Sequence, residues 1–344
     1  MKKIKALILI LICLNTIQSI AQTKSSPKVV LITLDGYRWQ ELFTGADEQL
    51  ISNKKYVNDT IALKQKYWRN SAEERRQILM PFLWKKAVTM GEFYGNRNKN
   101  SKVNLTNHMW FSYPGYNEIL TGKADDQNIT SNDKMENPNV TFLETFNNGK
   151  YKNKVAAFAS WDVFPYIINE KRSGIPVNAG LDTVSGKNLT SIEKFLNAIA
   201  PEIPSPFGTS ARLDFITDHY ALEYMKRKHP DVVYIANDET DDFAHQGNYT
   251  KYLNAAHEAD DFLKQLWNYI QNDPYYKDQT TIILTTDHGR GTIPLDNWRS
   301  HGSNIENADQ TWMIIFGAKA KPLGETKNNQ HYTIEIAQKM KEIL

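Results

Sequence analysis

A layered α/β fold, with strands alternating with helices, is what the sequence predicts, and three observations predict it. Several apolar, β-branched runs are continuous rather than alternating, the pattern of strands covered on both faces. Amphipathic stretches at helical spacing lie between them. The chain is 344 residues long with 41% hydrophobic side chains, enough for a sizeable core.

In chain order, residues 28–34 form the first such run, which stops at Asp35-Gly36. Residues 154–159, 231–236, 280–286 and 311–316 supply four further candidates, the runs at 231–236 and 280–286 also leading into aspartates. The clearest helix is 250–271, where Leu253, Ala256, Ala259, Leu263, Leu266 and Ile270 recur at helical spacing. Residues 215–228 and 334–344 read similarly. The Asn- and Asp-rich stretch 125–139 and the Pro-rich stretch 200–208 read as surface loops. No linker divides the chain and no segment repeats, so residues 22–344 are expected to form one domain with inserted loops.

Residues 1–21 read as an export signal. Lys2, Lys3 and Lys5 give a positive start, residues 6–14 an apolar run too short to span a bilayer, and Ser19 and Ala21 the small residues of a cleavage site. The mature protein is therefore expected to be periplasmic or secreted, with no stable membrane span. Cleavage would remove the only cysteine, Cys13, leaving no disulfide and no thiolate ligand. It would also take the net charge from +2 to −1. With no basic stripe either, a nucleic-acid polymer is not expected as a partner. Oligomeric state is left open.

Ligands of open α/β sheets bind beyond the carboxyl ends of strands. There the first strand delivers Asp35. The third leads into a segment where Asp241 and His245, four residues apart, share a face of any helical turn. The fourth delivers Asp287 and His288, followed by Gly289-Arg290-Gly291, whose glycines allow close backbone approach. His301 follows in a loop. Each residue alone has an ordinary explanation as a cap, turn or surface contact. Together, three imidazoles and three carboxylates suit a pair of borderline ions such as Zn²⁺ where thiolates are lacking.

Ser112, two residues before Pro114, opens a short helix-like stretch. A serine there is an ordinary N-cap, and a helix N-terminus also favours an anionic oxygen. Two divalent cations would outweigh three aspartates by one positive charge, which attracts a phosphate ester and activates a neighbouring hydroxyl.

The ordered set Thr33-Leu-Asp-Gly-Tyr-Arg38, Ser112-Tyr-Pro, Asp241-x-x-x-His245, Asp287-His288-Gly289 and a late His301 resembles the alkaline phosphatase superfamily, closest to its type I phosphodiesterase/nucleotide pyrophosphatase branch. The likeness runs from residue 28 to about 317. It implies a central mixed, mainly parallel β-sheet sandwiched between α-helices. It implies two Zn²⁺, or another divalent pair, one held by Asp241, His245 and His301, the other by Asp35, Asp287 and His288 with Ser112. It implies that Ser112 is the nucleophile of a phosphoester hydrolase acting on a small molecule, a nucleotide among the candidates. Asn132 is the nearest match to the branch's phosphate-binding Asn, in a segment that also holds Asn128, Asn137 and Asn139. Arg290 is either a phosphate contact or a structural salt bridge.

The branch usually carries Thr-Phe-Pro-Asn-His at the nucleophile, whereas this chain has Ser112-Tyr-Pro-Gly-Tyr116. Serine is the nucleophile of the monoesterases, so phosphodiesterase/pyrophosphatase and phosphomonoesterase activities both remain open. Sulfatase relatives need an Arg where Tyr116 stands. Phosphoglycerate mutase relatives are cytoplasmic and carry a large insertion between nucleophile and later ligands. A non-catalytic surface binding protein on the same fold is the alternative from another class, disfavoured because all seven positions hold competent side chains. Eight Trp fit either a core or a ring-lined pocket; Trp110, Trp161 and Trp298 lie near the candidate ligands in sequence.

Overall fold

The computed structural model describes residues 26–203 and 205–344. The expected export signal and Cys13 lie outside the described residues. The strands are β1 (Lys28–Leu34), β2 (Gly91–Tyr94), β3 (Ser101–Asn104), β4 (Val155–Ala159), β5 (Val177–Ala179) and β6 (Val232–Asn237). They continue with β7 (Thr280–Thr285), β8 (Gln310–Thr311), β9 (Met313–Gly317), β10 (Gly324–Glu325) and β11 (Asn329–Tyr332). Eight of them form one sheet in the order β10-β2-β9-β7-β1-β6-β4-β5, in which β9 alone runs against the rest. The expected mixed, mainly parallel sheet is therefore present. A small second sheet has the order β11-β3-β8.

Every residue of β1, β6 and β7 is buried, which is why these runs lack alternation. Their side chains divide between two cores, one on each face of the sheet. Val30, Ile32 and Leu34 join one with Val233, Ile235, Ile282 and Leu284; Val29 and Leu31 join the other with Val232, Tyr234 and Ile283. Helices Asp214–Lys228 and Tyr249–Asn272 cover the first face, the latter through the expected stripe, including Leu253, Ala256, Leu263, Leu266 and Ile270. Helices Ser112–Thr121 and Glu335–Ile343 cover the second.

The run 311–316 is not one strand. It divides at Trp312 between β8 in the small sheet and β9 in the large one. Trp312 is fully buried at the join, its Nε1 donating to the carbonyl of Tyr37 (2.7 Å). The 125–139 loop forms no helix or strand, as expected, but it is not wholly superficial. Ile129, Asn137 and Asn139 are buried, and Asn137 Nδ2 donates to the Ile167 carbonyl (3.0 Å). No helix among the described residues is long and apolar enough to cross a membrane.

Candidate active site

The site lies where three neighbouring parallel strands end. β1 sits between β6 and β7, with Leu34 opposite Asn237 and Thr33 opposite Thr285. The residues that follow therefore leave the sheet on one edge: Asp35 after β1, the helix Glu239–His245 after β6, and Asp287-His288 after β7. Gly36, at φ +55°, turns the chain away at once. A Cβ there would stand 2.8 Å from Asp241 Oδ1 and 2.9 Å from His288 Cε1, so the position needs glycine on two counts. The helix Ser112–Thr121 brings the hydroxyl from the other side of the sheet, and Gly115 lets it rest directly on the backbone carbonyl of Asp287.

All seven expected side chains converge. His288 Nε2 lies 3.2 Å from Asp35 Oδ1, 3.5 Å from Asp287 Oδ2 and 3.7 Å from Asp241 Oδ1. Ser112 Oγ is 3.4 Å from the same nitrogen. His245 Nε2 lies 3.1 Å from Asp241 Oδ2 and 2.9 Å from His301 Nε2, and His301 Nε2 is 3.6 Å from Asp241 Oδ1. The His288 and His301 rings stack with centroids 3.9 Å apart. Asp35, Asp287 and His288 thus form one compact group, and Asp241, His301 and His288 another; His245 adjoins the second. Exposure rises across the pocket, from nothing at the His288 side chain through 12% at His301 to 46% at His245.

The electrostatics are those of a pocket short of positive charge. Burial, and then the neighbouring Asp241, push the Asp35 carboxyl well above the usual range; burial and then Asp35 do the same to Asp287. Burial and then His288 hold the His301 imidazole well below its ordinary value, so that it stays neutral. Burial also opposes ionisation of Asp241, but Arg290 beside it, with His245 and His301, more than offsets this and holds it well below the carboxylate range. Asp35 Oδ1, Asp287 Oδ2 and His301 Nδ1 are buried without a hydrogen-bond partner. Neutral imidazoles, crowded carboxylates and orphaned oxygens are what divalent cations satisfy, so the donor set fits a metal pair.

Around these side chains lies a shell that sequence reasoning missed. Tyr116 Oη donates to Asp35 Oδ2 (2.8 Å), Thr240 Oγ1 to the Asp35 carbonyl (2.5 Å), and the Gly36 amide to Asp287 Oδ1 (3.0 Å). The buried Glu118 carboxylate accepts from the amides of Thr106 (2.8 Å) and Asn107 (2.8 Å), tying the loop before Ser112 to the helix that Ser112 opens. The available signal was spacing: Tyr116 lies one turn after Ser112.

Of the two expected phosphate contacts, Asn132 is exposed beside Ser112, its Oδ1 accepting from the Tyr113 amide (3.0 Å). Asn128 instead binds Asp125, while Asn137 and Asn139 are buried. Arg290 is buried, paired with Asp241 and bound to the Gly36 carbonyl (3.2 Å), the salt-bridge arrangement. Trp298 belongs to the core, wholly buried against Tyr56, Tyr249 and Tyr252. Trp161 packs on Phe164. Trp110, half-buried, adopts φ +54°, a left-handed conformation that a bulky side chain rarely takes.

A family model described as type I phosphodiesterase / nucleotide pyrophosphatase matches residues 49–343. Among solved structures, alkaline phosphatase PafA aligns with TM-score 0.61 at 10% identity, over 93% of this chain and 96% of its own. The soluble domain of lipooligosaccharide phosphoethanolamine transferase A from Neisseria meningitidis aligns with TM-score 0.55 at 12% identity, over 93% and 89%. The lipoteichoic acid synthase LtaP from Listeria monocytogenes aligns with TM-score 0.56 at 13% identity, over 93% and 72%. At such identities these likenesses concern the fold, which is alkaline phosphatase-like. No curated protein matches the sequence.

Proposed function

Because the chain belongs to the type I phosphodiesterase/nucleotide pyrophosphatase family, we propose that it hydrolyses small-molecule phosphodiesters or pyrophosphates with Ser112 as nucleophile and two zinc ions as cofactors. The observation that carries this reading is Ser112 Oγ, 3.4 Å from His288 Nε2 at the edge of a pocket of three aspartates and two histidines, with His245 adjoining through Asp241. Asp35, Asp287, His288 and Ser112 would hold one ion, Asp241, His245 and His301 the other. When bound, the pair supplies Lewis-acid charge that favours the serine alkoxide and the departing oxyanion.

The chain's own residues do the rest. The Ser112 oxygen forms a bond to phosphorus as the bond to the leaving oxygen breaks, the hydroxyl proton being lost and the leaving group gaining one from solvent. Water then attacks the phosphoseryl group, the phosphorus–Oγ bond breaks, and Ser112 regains its proton. The N-terminal position of Ser112 on its helix favours the negative charge of the transferring group. Asn132, its oxygen engaged by the Tyr113 amide, presents its NH₂ as a donor to a phosphoryl oxygen.

Arg290 favours a diester over a monoester. A monoester dianion calls for one more cation than a diester monoanion, and the guanidinium beside the ligands is already paired with Asp241. The pattern of residues 1–21 supports an extracytoplasmic site of action.

The test is a panel of p-nitrophenyl phosphate, its bis ester and its 5′-thymidine ester, with and without zinc. The diesters should give the higher kcat/KM, chelation should abolish turnover and zinc restore it. Ser112→Ala should lower kcat by at least about 10³-fold with two zinc ions still bound. Full activity in Ser112→Ala would refute the nucleophile, and a monoester preference would refute the substrate class.

A further inference from the structure

A cavity of about 330 Å³ opens beside the pocket just described, lined by residues of the helices Asp214–Lys228 and Tyr249–Asn272, by Asn237 at the end of β6 and by Glu239. None of its lining residues is a proposed zinc ligand. Five are acids, Asp214, Asp218, Glu239, Glu258 and Asp261, and among the described lining residues there is no Lys or Arg. Acids alone would mean little. What singles out this cavity is that two of its lining residues, Asp218 and Asn237, exposed by only 4% and 2%, each carry a buried oxygen, Asp218 Oδ1 and Asn237 Oδ1, with no hydrogen-bond partner.

The neighbouring groups do not supply the missing donors. Asn237 turns its NH₂ toward the other oxygen of Asp218 (3.5 Å), which leaves its carbonyl unanswered. Arg212, whose charge reaches Asp218, donates instead to Thr217 Oγ1 (2.8 Å) and to the carbonyls of Asp182 and Asn178 (both 3.1 Å). Asp214 is occupied, accepting from Ser160 Oγ (2.5 Å) and from the amides of Asp238 (2.8 Å) and Glu239 (3.0 Å). Burial, and then the charge of Asp214, push the Asp218 carboxyl well above the usual range. A buried carboxylate in this position needs a proton or a cation.

We propose that this cavity binds one calcium-class divalent cation through Asp218, Asn237 and Glu239, with Glu258 and Asp261 at its mouth and water completing the shell. All the donors are oxygens, the preference of a hard ion and not of zinc. Its place in the chain gives the ion a structural task. Asn237 and Glu239 flank the turn from β6 into the helix that carries Asp241 and His245, so a bound cation fixes the start of that helix.

The test is calorimetric titration of zinc-saturated protein with CaCl₂ and, separately, MgCl₂, alongside melting curves. One calcium should bind per chain, more tightly than magnesium, and saturation should raise Tm by about 5 °C or more. Asp218→Asn and the more conservative rim change Glu258→Gln should each weaken binding by at least about tenfold while zinc content stays at two. Asp35→Asn, which removes a proposed zinc ligand, should leave calcium binding intact, so failure of the zinc reading and failure of this one are distinguishable. The proposal is overturned if no calcium binds, or if both cavity variants bind it as wild type does.

Discussion

At the scale of single residues, the site depends on side chains outside the candidate ligand set. Tyr116 Oη holds Asp35 in one orientation and stabilises its charge. Tyr116→Phe keeps the ring among Phe164 and its neighbours but removes that donor; zinc affinity should fall about 10- to 100-fold, measured by chelator competition, with the loss of Tm seen in the loaded protein and little change in the metal-free one. The candidate ligands were legible in the sequence because metal chemistry restricts both residue type and spacing: Asp241 and His245 stand one turn apart, and Asp287-His288 follows a strand. Tyr116 was not. A tyrosine is an ordinary core residue until a carboxylate 81 positions away is known to reach it. Arg290 shows the reverse limit, since its place beside the ligands allowed two roles and only the contact with Asp241 separates them.

At the scale of elements, long runs were readable and short ones were not. β1, β6 and β7 carry their own signal because both faces are buried. β2, β5 and β10 have four, three and two residues and exist only through their partners, as do the short helices between Trp39 and Lys85. The division of 311–316 at Trp312 was hidden because the run is apolar throughout. The helix Ser112–Thr121 gives the element-scale prediction. A Cβ on Gly115 would meet the Asp287 carbonyl oxygen at 2.2 Å, and that oxygen is backbone, unable to swing aside. Gly115→Ala should therefore push the helix off the strand end, costing about 1–3 kcal/mol in chemical denaturation and displacing Ser112 from the pocket, so that kcat falls even where the protein stays folded.

At the scale of the whole molecule, the pocket makes stability a function of metal and pH together. Asp35 and Asp287 have folded-state pKa values raised above their unfolded ones. Each therefore contributes stability that is complete below about pH 4 and lost as pH rises through the folded value. His301 is shifted downward and acts in the opposite sense at acid pH, losing stability as pH falls, so total Tm is a poor gauge. A difference isolates the carboxylate: between about pH 4 and pH 8, the metal-free Asp35→Asn variant should gain Tm relative to metal-free wild type, and zinc should reverse the order at pH 8. An unchanging gap would mean that Asp35 ionises freely in the folded chain.

The graded exposure from His288 to His245 has a kinetic corollary. Two ions in such a pocket would not be equivalent guests: the one near the rim would have a route to solvent, while its companion would be enclosed by buried side chains. Dilute chelator should strip the protein in two phases, with a half-loaded species accumulating between them, and a single exponential would contradict it.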